Sequence, residues 1–394
     1  MQIPVTIITG FLGSGKTTVL NALLRDPAFA DSAVLINEFG DVQVDHDLVA
    51  EFSDEMIMTT TGCLCCTASS DITQSLFELL QKHESGEIAP FKRVIVETTG
   101  LLDPVPVLRA LLAEPGPTAV DQTVAMNFAL SRMVALYDMI NGSDSLDEHP
   151  EAVRQIALSD VVALTKSDLL DDVADANVTS VARSRIGAIN PSADIVDRQS
   201  EWPTLRNLIL SPTTYDLRTR GEDAIAWLAV DRVAPSDEHG HHHDAGHDHD
   251  HDHHSHDHHH NDHHHHDHDH HGHDHGDHAH DTNRHNDEIR SHVIIVEEPI
   301  SRMVLELFIG TLKLNAGTRL LRMKGLIALR DDPERPVVVH GVQHLIHPID
   351  QLERWPSDDR RTRIVLIGKH LNVDAFREVL LAKSKARQSP RIAS

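Results

Sequence analysis

The feature that most narrows the folds open to this chain is an eight-residue turn near its start. Gly10-Phe11-Leu12-Gly13-Ser14-Gly15-Lys16-Thr17 stands between an apolar run, VTII at 5–8, and a helical pattern, TTVLNALLR at 17–25. It fits G-x-x-x-x-G-K-[ST] at every fixed position. Strand, glycine-rich turn and helix, in that order, are what a phosphate-cradling loop requires. Glycines let backbone N–H groups curl around a phosphate, and the helix N-terminus adds positive partial charge. In such a loop Lys16 reaches the β and γ phosphates and Thr17 ligates Mg²⁺.

The same type of apolar run recurs as AVLIN at 33–37, RVIVE at 93–97, MVALY at 133–137 and DVVALT at 160–165. These runs are rich in Val and Ile and do not alternate with polar residues, as expected of parallel strands covered on both faces. With helical patterns between them they predict an α/β fold: a P-loop NTPase-like, doubly wound, mainly parallel sheet. Binding sites in such sheets lie outside the carboxyl ends of the strands.

Composition divides the 394 residues. Of 33 His, 25 lie between 236 and 288, beside 13 Asp, two Glu, one Arg and only two Ala as apolar residues. That segment cannot bury a core and is expected to be disordered without ligand. Beyond it, HVIIVEE, LLRMKGLIAL, PVVVHGVQHLI and RIVLIGKH read as strands, and SRMVLELFIGTLKL and VDAFREVLLAK as helices, which predicts a small α+β domain. The expected division is 1–235, 236–288 as a linker, and 289–394. A net charge of −26 argues against nucleic acid and against an anionic membrane surface as partners. No apolar run approaches the ~20 residues of a membrane span. The start, MQIPVTIITG, carries no basic n-region, and the cytoplasm is the expected compartment.

Three further clusters carry chemistry. Glu97 ends RVIVE and opens Glu97-Thr98-Thr99-Gly100: its carboxylate can hold Mg²⁺ or its water, and Gly100 can offer an N–H to a γ-phosphate. Thr165-Lys166-Ser167-Asp168 follows the strand DVVAL. Asp168 can accept guanine N1–H and N2–H while the Lys166 stem packs on the base; Thr165, where Asn is commoner, is expected to weaken one base contact. All three cysteines fall in Gly62-Cys63-Leu64-Cys65-Cys66. Zn²⁺ wants four ligands, so Cys63, Cys65 and Cys66 need an outside partner, for which Asp41 and His46 are candidates. From the residues alone a metal site, redox thiols and structural cysteines all stay open. The His/Asp tract, sampled by His241, His247, His253, His258, His263, His268 and His273, is a field of imidazole and carboxylate ligands suited to Zn²⁺, Ni²⁺, Cu²⁺ or Co²⁺. His340 and His344 sit four apart on one expected strand, about 13 Å from each other, and are given structural or surface roles.

GFLGSGKTT, NEFG, GCLCC, ETTG and TKSD, in this order, resemble the CobW-like P-loop GTPases, relatives of the GTPases that load nickel into urease and hydrogenase. DPVPVL at 103–108, EAVRQIALSD at 151–160, LLRMKG at 320–325 and VVVHGVQHLIHP at 337–348 extend the resemblance over nearly the whole chain. Tyr137-Asp138-Met139 departs from a more usual Val-Asp-Ala, and Asp41 stands where Glu is frequent. The resemblance implies GTP hydrolysis coupled to delivery of a transition metal, with GTP, Mg²⁺ and Zn²⁺ or Co²⁺ as cofactors. It implies that Gly10, Gly13, Ser14, Gly15, Lys16, Thr17 and Thr18 hold the phosphates and Mg²⁺, that Glu97 and Gly100 act at the γ-phosphate, and that Lys166 and Asp168 read guanine. Cys65 and Cys66, with Cys63, are the implied metal thiolates. A client metalloprotein or metal-insertion enzyme is the expected partner, and a homodimer is allowed for. The rival reading is a metal buffer or store with a regulatory nucleotide site.

Overall fold

The structure, a computed structural model, describes residues 2–36, 57–60, 68–112, 115–170, 176–211, 289–343, 345–346 and 350–381. NEFG, Asp41, His46, the three cysteines, the His/Asp tract and His344 lie outside the described residues.

The first sheet is built from β1 (Ile3–Gly10), β2 (Ser32–Ile36), β3 (Ile57–Thr60), β4 (Arg93–Glu97), β5 (Phe128–Asp138), β6 (Val161–Thr165) and β7 (Asp194–Asp197). Its order is β3-β2-β4-β1-β5-β6-β7, and every pairing is parallel. The helices are α1 (Lys16–Arg25), α2 (Ala68–Glu84), α3 (Val105–Leu112), α4 (Ala119–Asn127), α5 (Gly142–Glu148), α6 (Pro150–Leu158), α7 (Ala176–Ile189) and α8 (Trp202–Leu210). Successive strand residues enter opposite cores. Val161 and Ala163 pack with Leu20 and Leu23 of α1 and Leu205 of α8, whereas Val162 and Leu164 pack with Leu76 of α2, Leu108 of α3 and Ile156 of α6. Both faces are buried, which is why these strands show no polar alternation.

The expected strands are present, with β5 longer at its start. Two strands of this sheet were not expected, β3 and β7. Each has four residues, IMTT and DIVD, too short to display a period of its own. They exist because β2 and β6 offer edges to pair with.

The second sheet contains β8 (Ile289–Val296), β9 (Leu320–Leu329), β10 (Asp332–Val342), β11 (Leu345–Ile346), β12 (Asp350–Gln351) and β13 (Thr362–Lys369). It is antiparallel, in the order β11-β10-β9-β13-β8, with β12 also on β10. PVVVHGVQHLI is not one strand. The chain reverses at Gln343, whose φ is 52°, and β11 folds back on Gly341 and Val342.

One face of this sheet is covered by α9 (Arg302–Ala316) and α10 (Val373–Leu381), through Leu305, Phe308, Phe376 and Leu380. The other face shares a core with the first sheet's helices: Leu326, Val338, Val342, Val365 and Ile367 join the cluster of Leu108 and Ile156. Arg109 of α3 donates to Gln343 Oε1 at 2.7 Å, and Ser291 donates to the Ala188 carbonyl. Among the described residues no helix is long and apolar enough to cross a membrane.

Candidate functional site

The sheet order sets side by side four chain segments that leave the same edge. Ile8, Glu97, Ile36 and Thr60 stand in register across β1, β4, β2 and β3. Neighbouring strands are about 4.8 Å apart, so this row spans roughly 15 Å. Beyond it run the glycine-rich loop after β1 and the rest of ETTG after β4.

The glycine-rich loop closes onto α1. Gly15, at φ 87°, occupies the helix N-cap in the left-handed region, where a side chain would be strained. No side chain caps this terminus, and the first N–H groups of a helix have no intrahelical partner, so they can bind an anion. Lys16 Nζ folds back to donate to the carbonyls of Gly10 (2.9 Å) and Phe11 (3.0 Å). Burial pushes the Lys16 ammonium below its usual range, and the nearby Glu97 carboxylate partly opposes this. A cation held so is primed to exchange carbonyls for phosphate oxygens. Ser14 is buried within the loop, and Thr18 follows Thr17 in the first turn of α1.

Thr17 and Glu97, placed together by sequence reasoning, do meet: Thr17 Oγ1 donates to Glu97 Oε1 at 3.2 Å. Glu97 is buried at the end of β4. A hydroxyl and a carboxylate in contact beside a phosphate loop are the hard oxygen donors Mg²⁺ takes. Gly100 lies against the phosphate loop so closely that an added Cβ would sit 2.7 Å from Leu12 N. Gln155 of α6, which sequence reasoning missed, holds this segment by donating to the carbonyls of Gly100 (3.1 Å) and Leu102 (3.2 Å).

At the other flank, Thr165 is buried at the end of β6. Its hydroxyl lies 2.8 Å from the Ser14 carbonyl and 3.2 Å from that of Tyr137, so it ties β6 to the phosphate loop. Lys166 stands at φ 61° and its ammonium donates to Asp138 Oδ2 at 2.7 Å. Asp138 also accepts from the N–H groups of Ile140 and Asn141 and from the Asn141 amide. Burial pushes its carboxyl upward, but the Lys166 ammonium and the other donors outweigh that and hold it below its ordinary value. Asp168 is exposed and accepts from Gln199 Nε2 at 2.6 Å. The roles of Asp138 and Gln199 were not readable from motif spacing, although Asp138 stood out as part of an unusual tripeptide.

Among the described residues no three His, Cys, Asp or Glu side chains converge as metal ligands would. The expected thiolates and histidines lie outside the described residues. In sequence the cysteines follow β3, the edge strand of the row described above.

The nucleotide-binding domain of CobW/HypB/UreG matches residues 4–197, and the cobalamin synthesis protein cobW C-terminal domain matches residues 289–383. The zinc chaperone YjiA of Escherichia coli (strain K12) is 31% identical over 193 residues, covering 49% of this chain and 56% of its own. The zinc-regulated GTPase metalloprotein activator 1 of Schizosaccharomyces pombe is 31% identical over 206 residues, covering 50% of this chain and 45% of its own. The chain spans about half the length of the curated relatives it matches. The crystal structure of Zn(II)-bound YjiA GTPase from E. coli shares the fold, with a TM-score of 0.65 at 22% identity over 97% of this chain and 99% of that one. With both domains matched in sequence order, the chain belongs to the CobW/HypB/UreG family.

Proposed function

We propose that this protein is a GTP-hydrolysing metallochaperone: it binds a transition metal, zinc or cobalt, and hands it to a client metalloprotein, with metal affinity set by the bound nucleotide. The observation that carries this reading is the in-register row Ile8–Glu97–Ile36–Thr60. It makes the ends of β1, β4, β2 and β3 neighbours on one edge, and in sequence the phosphate loop, ETTG, NEFG and the cysteine segment follow those four ends. Movement driven by a γ-phosphate at one of them can then reach a metal thiolate at another. The zinc chaperones among the relatives make zinc the first metal to test.

In this mechanism the α1 N-terminus and Lys16 bind the phosphates, Lys16 leaving the Gly10 and Phe11 carbonyls to do so. Thr17 and Glu97 would hold Mg²⁺, which supplies charge neutralisation at the β and γ phosphates. Gly100 senses the γ-phosphate and is released on hydrolysis, while Gln155 keeps the rest of its segment anchored. Lys166, steered by Asp138, packs on the base that Asp168 reads. Cys65 and Cys66, with Cys63 and Asp41 as further donors, take the metal. Residues 236–288 would recruit it in the cytoplasm as the linker between the domains 1–235 and 289–394.

The test is competitive titration of Zn²⁺ and Co²⁺ on the full chain and on a chain lacking 236–288, each nucleotide-free, with GDP, and with a non-hydrolysable GTP analogue and Mg²⁺. A tenfold or larger affinity change between the GDP and GTP-analogue forms corresponds to about 1.4 kcal/mol of coupling, and the metal must change nucleotide affinity by the same factor. Equal affinities in all forms would instead leave a metal buffer. Cys65→Ser with Cys66→Ser is expected to remove the nucleotide-sensitive part.

A further inference from the structure

Resting on the reading that Asp168 binds guanine, we infer that Gln199 completes the base site by donating its side-chain amide to the guanine O6 carbonyl. Gln199 lies in the turn after β7, 31 residues beyond Asp168, and its Nε2 donates to Asp168 Oδ1 at 2.6 Å. The orientation of the amide is fixed from behind. Arg198 Nη1 donates to Gln199 Oε1 at 2.8 Å, and the Arg198 guanidinium lies over the Trp202 ring, 5.9 Å from its centroid. The oxygen is thus held by a cation and the NH₂ faces Asp168.

The backbone of the turn is committed elsewhere. Asp197 Oδ1 accepts from the N–H groups of Gln199 (2.9 Å) and Ser200 (2.9 Å) and from the Ser200 hydroxyl (3.0 Å). Burial pushes the Asp197 carboxyl upward, but these donors and the Ser167 hydroxyl bring it below its ordinary value, so the acceptor stays charged. Two backbone donors that could have met a base carbonyl therefore turn inward. The Gln199 side chain is the donor that this turn presents to Asp168.

The chemistry matches the edge of guanine. N1–H and N2–H₂ are donors that a carboxylate accepts, and O6, beside N1, is an acceptor. A primary amide carries two N–H groups. One faces Asp168 already, and the other is available to O6 when guanine's own donors engage the carboxylate. Adenine presents an amino donor where guanine presents O6, so the same amide would oppose it donor to donor.

The test is displacement of a fluorescent GTP analogue from the full chain with Mg²⁺ at pH 7, using GTP, 6-thio-GTP and ATP as competitors. In 6-thio-GTP sulfur, a weak acceptor, replaces O6, and both guanine donors remain. The wild type is expected to favour GTP over 6-thio-GTP by about tenfold, the order of one hydrogen bond. Gln199→Ala is expected to lose about tenfold for GTP and nothing for 6-thio-GTP, which abolishes the discrimination. Gln199→Glu, which sets an acceptor against O6, is expected to lose more. Equal weakening toward both nucleotides would mean Gln199 only shapes the turn, and no weakening would mean it makes no base contact; either overturns the inference while guanine binding stands. A wild type that takes ATP as well as GTP would overturn the guanine reading itself.

Discussion

Asp160, at the start of β6, and Arg322, on β9, form an ion pair buried between the two sheets, their side chains 2% and 4% exposed. Arg322 also donates to the carbonyls of Leu158 and Ser159 at the end of α6, and Asp160 Oδ2 accepts from Met133 N–H. One guanidinium therefore caps a helix of the nucleotide-binding half and neutralises a strand of its sheet. Removing one partner of a buried pair leaves an uncompensated charge and typically costs about 3–5 kcal/mol. Arg322→Met is expected to lower the thermal midpoint by roughly 10 °C. Asp160→Leu in the same chain should restore part of it, because the stranded carboxylate is gone. A single-variant shift under about 2 °C would show that this ion pair is not what joins the two halves, leaving that to the shared apolar core and to links such as Arg109 with Gln343.

The same pair sets an acid limit. Burial pushes the Asp160 carboxyl upward, but Arg322, Lys324 and Arg132 together hold it below its ordinary 3.8. A folded-state value below the unfolded one means stability that is complete above pH 3.8 and lost as pH falls through the lower folded value. Unfolding free energy measured by denaturant titration from pH 5 downward should decline once the pH passes below 3.8. Each proton bound preferentially by the unfolded chain contributes a slope of about 1.4 kcal/mol per pH unit. Asp160→Asn should show a shallower decline. An unchanged slope would place the acid sensitivity in other carboxylates, of which Asp138 and Asp197 are also held low.

Gly100 and Leu12 give a steric test of the phosphate sensor. A Cβ on Gly100 would fall 2.7 Å from both Leu12 N and Leu12 Cδ2 and 2.9 Å from Leu12 Cα. The side-chain carbon can swing away, but the backbone atoms belong to the phosphate loop and must shift with it. Gly100→Ala is expected to weaken GTP-analogue binding at least tenfold and to leave GDP binding within about threefold, since GDP lacks the phosphate that this segment is proposed to meet. Equilibrium binding of both nucleotides reads this directly. Equal loss for both would mean that the substitution distorts the loop as a whole.

What the sequence made legible follows from where the information sits. The phosphate loop and the meeting of Thr17 with Glu97 were readable because their pattern is local. Spacing along one strand end and one helix start already dictates it, and the structure brings Thr17 and Glu97 together, 80 residues apart, as parallel topology requires. The supports were not readable. Asp138 with Lys166, Gln155 with Gly100 and Gln199 with Asp168 join residues 28, 55 and 31 apart, through packing that no local pattern encodes. Thr165 shows the limit within a motif. The motif reading concerned only its contact with a base, whereas its hydroxyl also bonds the Ser14 carbonyl, because β6 ends directly behind the phosphate loop. The strand expected over PVVVHGVQHLI failed for a related reason: an apolar run carries no mark of a reversal when the turn residue, Gln343, is neither Gly nor Pro.

Under the proposed function, removing Asp138 should separate base recognition from phosphate binding. Its carboxylate is 7% exposed and takes Lys166, the Asn141 amide and two backbone N–H groups. Asp138→Asn preserves shape, but it puts an amide donor or a neutral oxygen opposite the Lys166 ammonium. Lys166 is a non-glycine residue at φ 61°, a conformation that costs of order 1 kcal/mol and persists only when its surroundings hold it. With that hold weakened, its stem should no longer lie flat on the base. The variant is expected to lose about tenfold in affinity for GTP and GDP alike and to discriminate less against ATP. Affinity for pyrophosphate, which has no base, should stay unchanged, because Lys16 and the α1 N-terminus remain as they are. Loss of pyrophosphate binding as well would show that Asp138 supports the phosphate loop rather than the base site.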